Sequence, residues 1–177
     1  EYLIPLLGVW DRFDEIDFDK LPDRFVLKTN HGAGWNYIVQ DKSKLDKADA
    51  KAKFDLWTKL NFTYYQGGLE LQYEHIQPKI IAEQFIENDG GDLYDYKLCC
   101  IDGEPKVIIY IMNRYVDADE RIICFDTDWN VLPFNLFTPL EQPDDIPRPK
   151  NLEKMVEVAR KLSQGIPFVR VDLYALN

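Results

Sequence analysis

Asp102-Gly103 separates two β-prone runs, residues 94–101 and 106–112. A pair of this kind readily supplies the left-handed backbone positions of a two-residue hairpin turn, so residues 94–112 read as an antiparallel hairpin. A second hairpin is read upstream. Phe25-Val26-Leu27-Lys28-Thr29 is short and mostly apolar, His31-Gly32-Ala33-Gly34 follows as a loop, and residues 35–40 are β-prone again. Residues 79–86, 121–125 and 168–174 read as further strands, the last alternating apolar with polar side chains as a half-buried strand does. Ser43 is a candidate cap for a helix reaching about residue 61, with Phe54, Trp57 and Leu60 on one stripe. Asn151 can cap a second helix, in which Leu152, Met155, Val156, Ala159 and Leu162 form a 3.6-residue stripe before Gly165 and Pro167 stop it. Residues 1–22 are apolar in part but without periodicity, and residues 88–92 and 139–149 read as loops. The order is hairpin, helix, strand, hairpin, strand, helix, strand. Short connections make neighbours antiparallel, so the expected class is α+β rather than a doubly wound parallel sheet.

Composition narrows the function. With 21 Lys and Arg against 31 Asp and Glu, the net charge is −10, which argues against nucleic acid as a partner. No apolar run is long enough to span a membrane. Cys99, Cys100 and Cys124 lack a framework spacing and read as reduced thiols in a cytoplasmic setting. The chain opens on Glu1 directly into an apolar run and stops just after a core-like strand, which reads as a fragment of a longer protein.

Five short patterns could carry chemistry, and each has an ordinary structural alternative. Lys28 beside the 31–34 glycine loop could set an ammonium and backbone N–H groups against a phosphate, or could be a hairpin-edge lysine. Glu83-Gln84-Phe85-Ile86 could offer its backbone to an adenine edge, or be a core strand. Alternation puts Asp95 and Lys97 on one strand face, suited to a ribose hydroxyl and a phosphate or to a simple ion pair. Arg170 and Asp172 also share a face, suited to a phosphate clamp beside a Mg²⁺ ligand or to a salt bridge. Asp126-Thr127-Asp128 could hold a divalent ion as nucleotide-sugar glycosyltransferases do, or be turn chemistry. His31 and His75 are too isolated for a metal site. Four tryptophans and ten tyrosines leave a non-catalytic glycan-binding domain open.

Taken in order, these patterns resemble the nucleotide site of ATP-grasp enzymes. Leu6-Leu7-Gly8-Val9-Trp10, Phe13-Asp14-Glu15-Ile16-Asp17-Phe18, the block from Leu21 to Gly32 that ends in Phe25-Val26-Leu27-Lys28-Thr29-Asn30-His31-Gly32, Ile81-Ala82-Glu83, Asp95-Tyr96-Lys97 and Phe125-Asp126-Thr127-Asp128-Trp129-Asn130 are similar to the TupA-like ATP-grasp family. That family is linked to teichuronopeptide and other bacterial cell-surface polysaccharide synthesis. The resemblance implies two α+β subdomains around a nucleotide cleft: residues 1–22 as a connecting segment, 23–86 as the first subdomain, and 87–177 as an incomplete second. It implies a carboxylate–amine ligase reaction through an acyl phosphate, with ATP and Mg²⁺ as cofactors and a small-molecule or polymer-precursor substrate. By position, Lys28, His31, Gly32, Ala33 and Gly34 would hold the ATP phosphates, and Glu83, Gln84, Phe85 and Ile86 would form the adenine hinge. Asp95 would meet the ribose, Lys97 and Arg114 would face phosphate or acceptor, Arg170 would stabilise the transferring phosphoryl group, and Asp172 would ligate Mg²⁺. The family's additional phosphate-binding lysine and second metal carboxylate would fall before Glu1 and after Asn177, so this stretch alone is expected to turn over weakly or not at all.

Overall fold

The computed structural model describes residues 2–67, 69–87, 93–112, 121–135 and 146–175. The chain is α+β and divides into two compact units, Glu1–Ile86 and Glu87–Asn177. Each unit contains one four-stranded sheet, and every described strand pairing is antiparallel.

The first unit carries β1 (Leu6–Trp10), β2 (Phe25–Thr29), β3 (Asn36–Val39) and β4 (Ile80–Gln84), in the spatial order β1-β4-β2-β3. Its one α-helix among the described residues is α1 (Lys47–Trp57). Period-two alternation sends Phe25 and Leu27 into the core with Val39, Ile80 and Ala82, where Ala50 and Phe54 of α1 and Phe13 and Phe18 from two short 3₁₀ turns meet them. The opposite face presents Val26, Lys28, Ile81 and Glu83, all half-buried.

Two features of this unit differ from the sequence expectation. Residues 6–10, within the stretch expected only to connect, form an edge strand on β4. A register shift between Leu6 and Gly8 hides the alternation, and the Trp10 ring lies over Gly8, where a Cβ would come within 2.3 Å of it. Ser43 does not cap α1; it sits in a 3₁₀ turn and donates its hydroxyl to Asp41. Asp46 caps instead, accepting from the N–H groups of Ala48 and Asp49 at 3.0 Å each. A carboxylate accepts these two bonds and also meets the positive end of the helix dipole. The helix then stops at Trp57, short of Leu60.

The second unit carries β5 (Asp95–Ile101), β6 (Glu104–Met112), β7 (Arg121–Phe125) and β8 (Phe168–Tyr174), in the order β7-β6-β5-β8. The Asp102-Gly103 turn joins β5 to β6 with φ of +48° and +82°, the left-handed positions the hairpin needs. Helix α2 (Leu152–Leu162) lays Leu152, Met155 and Ala159 on the face formed by Leu98, Cys100, Ile108, Tyr110, Phe125 and Val171. Asn151 stands at its N-cap position without a capping side-chain bond, and Gly165 takes φ +75° just beyond its end. The face of the sheet turned away from α2 holds the apolar group Ile109, Ile111 and Cys124 on one side and four charged residues of β5 and β8 on the other. No helix among the described residues is long and apolar enough to cross a membrane.

Candidate functional site

In the first unit, the β2–β4 register sets Lys28 diagonally across from Glu83, and their side chains form an ion pair on the half-buried face. Nothing local in the sequence announces this partnership, because it depends on which strand lies beside β2. The loop after β2 uses its glycines for two separate reasons. A Cβ on Gly32 would come within 2.7 Å of the Phe62 ring and 2.8 Å of Trp35, so only glycine fits there without displacement. Gly34 has open space around it but sits at φ +74°, which L side chains resist. Ala33 and Gly34 are exposed, so the loop's tip is accessible.

His31 is different from what the resemblance assigns. Its imidazole is buried edge-on to Trp35, with ring centroids 5.3 Å apart, and its Nε2 lies 3.0 Å from the Trp57 carbonyl. A carbonyl only accepts, so Nε2 is the donor. The ring ties the loop to the end of α1 and is not offered to a phosphate.

After β4 the chain passes through Phe85 and Ile86. The Arg24 guanidinium covers the Phe85 ring at 4.2 Å, and the Gln84 N–H donates to the Pro5 carbonyl at 2.9 Å. Leu7, Pro22, Arg24, Gln84 and Phe85 line an open groove of about 680 Å³ at this end of the first sheet.

In the second unit, antiparallel pairing sets Lys97 opposite Asp172 and Cys99 opposite Arg170. The Lys97 ammonium lies 2.7 Å from Asp95 and 2.8 Å from Asp172. Arg170 grips Asp172 with two N–H groups, Nε to Oδ1 at 2.7 Å and Nη2 to Oδ2 at 2.9 Å. Side-chain exposure is 4% for Asp95, 10% for Lys97 and 39% for Asp172, so the network runs from the sheet interior out to solvent. Four of the sequence-singled residues thus converge from two strands. Asp95 lies at the buried end of the network, against Lys97, and not at its exposed end. Arg114 lies outside the described residues, as do residues 88–92 and 136–145 of the loops.

The family model described as TupA-like ATPgrasp matches residues 1–177, the whole chain. The chain belongs to the TupA-like ATP-grasp family. No curated protein matches it significantly.

Within this TupA-like ATP-grasp chain, the charge state of the second-unit network is set by its contacts. Burial pushes the Asp172 carboxyl up, but the hydrogen bonds and charges of Arg170 and Lys97 outweigh it and hold the group below its ordinary 3.8. The same bond to Asp172 holds the Arg170 guanidinium more firmly protonated than usual. Because the folded-state pKa is depressed, the stabilisation is complete above 3.8 and is lost as the pH falls through the lower folded value. Urea unfolding over a pH series should therefore show the wild type losing more stability than Asp172→Asn between about pH 5 and pH 2. Parallel acid limbs for the two proteins would disprove it. Burial also pushes the neighbouring Cys99 thiol up, so it is not an activated thiolate.

Asp126 serves a turn. Its Oδ1 accepts from the N–H groups of Asp128 and Asn130 at 2.9 and 2.8 Å, and Oδ2 accepts from the Asn130 side chain at 2.9 Å. The Asp-Thr-Asp pattern is turn chemistry at the end of β7. Among the described residues, no three His, Cys, Asp or Glu side chains gather to hold a metal. A hard cation here would rely on one or two carboxylates plus oxygens from a phosphate ligand, which is the usual habit of Mg²⁺. Asp172, ionised and partly exposed, fits that role.

Proposed function

We propose that this TupA-like ATP-grasp protein is an ATP-dependent ligase of the carboxylate–amine type, acting in the cytoplasm in the synthesis of a bacterial cell-surface polysaccharide or teichuronopeptide. A substrate carboxylate oxygen attacks the γ-phosphorus of ATP, ADP leaves, and an acyl phosphate forms. An amine then attacks the acyl carbon and expels inorganic phosphate, leaving an amide. Such chemistry needs positioning and charge neutralisation rather than a nucleophilic side chain, and no such nucleophile is required of this chain.

The observation that supports the reading best is the Arg170–Asp172 pair, aligned by two hydrogen bonds on the sheet face left uncovered by α2. Arg170 is the group for the transferring phosphoryl oxygens, and Asp172 is the carboxylate for Mg²⁺, which when bound neutralises phosphate charge. Lys28 and the backbone of Gly32, Ala33 and Gly34 take the ATP phosphates, residues 83–86 take the adenine, and Arg114 takes phosphate or acceptor. Glu83 has a further part as the counter-ion of Lys28, holding its side chain in place when no nucleotide is bound.

A thermal-shift series tests this. Mg-ATP should raise the melting temperature of the wild type, and Lys28→Ala should abolish the rise while leaving the ligand-free melt within a few degrees. No response to Mg-ATP, together with a response to Mg-UDP-sugar that Asp126→Ala removes, would replace the ligase with a glycosyltransferase. Glycan binding with no nucleotide response would replace it with a carbohydrate-binding domain.

A further inference from the structure

Lys97 is the least exposed cation of the second-unit network, and it is enclosed by acids. Its single Nζ holds Asp95 at 2.7 Å and Asp172 at 2.8 Å, so two carboxylates from neighbouring strands are drawn toward one nitrogen. With Arg170, the group totals two negative and two positive charges. Arg170 is built to stay: its planar fork is matched to both oxygens of Asp172. Lysine is built to move, with a compact charge and three donors on a flexible four-carbon stem.

We propose that Lys97 is a positioning residue whose ammonium stands as resident counter-ion between Asp95 and Asp172, in the place a divalent cation takes. Resting on the assignment of Asp172 as the Mg²⁺ ligand, this adds that cation uptake and release of Asp172 by Lys97 are a single event. A divalent ion approaching these side chains meets the two positive charges of Lys97 and Arg170 and, in Asp172, a carboxylate whose oxygens are already engaged. Affinity for the bare ion is therefore low until phosphates arrive to accept the displaced ammonium. Metal and nucleotide binding are coupled through one side chain, and a metal-loaded, nucleotide-free state is disfavoured.

The test uses Mn²⁺ without nucleotide, titrated by electron paramagnetic resonance. Lys97→Met should bind Mn²⁺ at least tenfold more tightly than the wild type, and Asp172→Asn in the Lys97→Met background should cancel the gain. A purely structural role would lower the melting temperature of Lys97→Met without creating metal affinity. Here Mn²⁺ should restore that melting temperature, with far less effect on the wild type. If Lys97→Met does not fold alone, refolding in Mn²⁺ and the Lys97→Gln variant, which keeps a donor between the acids, serve instead. Equal Mn²⁺ affinity in wild type and variant overturns the proposal, as does failure of both variants to fold with Mn²⁺ present. Because nucleotide is absent, this outcome is separable from the ligase reading, which stands or falls on the Mg-ATP response of the wild type.

Discussion

Cutting Phe54 to alanine is expected to cost about 3–5 kcal/mol, enough to remove much of the stability of a domain of ordinary marginality. Phe54 is fully buried on α1. Its ring stacks near Phe13 at 5.9 Å and meets Trp57 edge-on at 5.1 Å. It belongs to the same core as Phe25 and Leu27, the inward residues of the strand that carries Lys28. Truncation leaves a cavity beneath that strand, and the flanking rings belong to a packed cluster that relaxes only in part. Urea unfolding followed by tryptophan fluorescence measures the loss, since Trp57 lies against the deleted ring. A cost below about 1 kcal/mol would show that the core refills, and that Phe54 does not hold α1 to the sheet.

In a form of the protein that also carries the family's additional phosphate-binding lysine and second metal carboxylate, Arg170→Ala should lower phosphoryl transfer, read as ADP formed with substrate or water as acceptor, by about 10²–10³-fold, the usual consequence of deleting a donor aimed at developing charge. Affinity for ATP should change only a few-fold, because an interaction made mainly in the transition state contributes to turnover rather than to ground-state binding. Arg170→Lys should not restore the rate, since an ammonium cannot reproduce the two-point grip on Asp172 at 2.7 and 2.9 Å. The fold should survive, because half of the Arg170 side chain is exposed and Lys97 still holds Asp172. A rate within threefold of wild type would remove Arg170 from the chemistry.

The parts of the fold that were legible in the sequence are those written in local chemistry. Asp102-Gly103 specifies a turn through backbone conformations available to few other pairs, and β5 and β6 flank it where expected. The helix read over Leu152 to Leu162 matches α2, with Leu152, Met155 and Ala159 of its stripe buried and Leu162, at its last turn, exposed. The failures were equally physical. The strand Leu6–Trp10 escaped because a register shift breaks its alternation and it is the sheet's edge. Ser43 misled because three capping-type side chains, Asp41, Ser43 and Asp46, crowd the start of α1 and only the backbone geometry selects among them. His31 misled because a histidine beside glycines has the composition of a phosphate loop, whereas its burial depends on Trp35 and on Trp57, 26 positions away.

For the site, the sequence by itself determined that Asp95 shares a face with Lys97, and Arg170 with Asp172. A strand's period of two follows from bonds between adjacent residues and needs no partner. The tertiary structure alone decided that β8 lies beside β5, bringing Lys97 to Asp172 across 75 positions, and that β4 lies beside β2, bringing Glu83 to Lys28. Neighbouring strands are selected by how whole apolar faces are covered by α1 and α2, a property of the packed unit that no short stretch of chain contains.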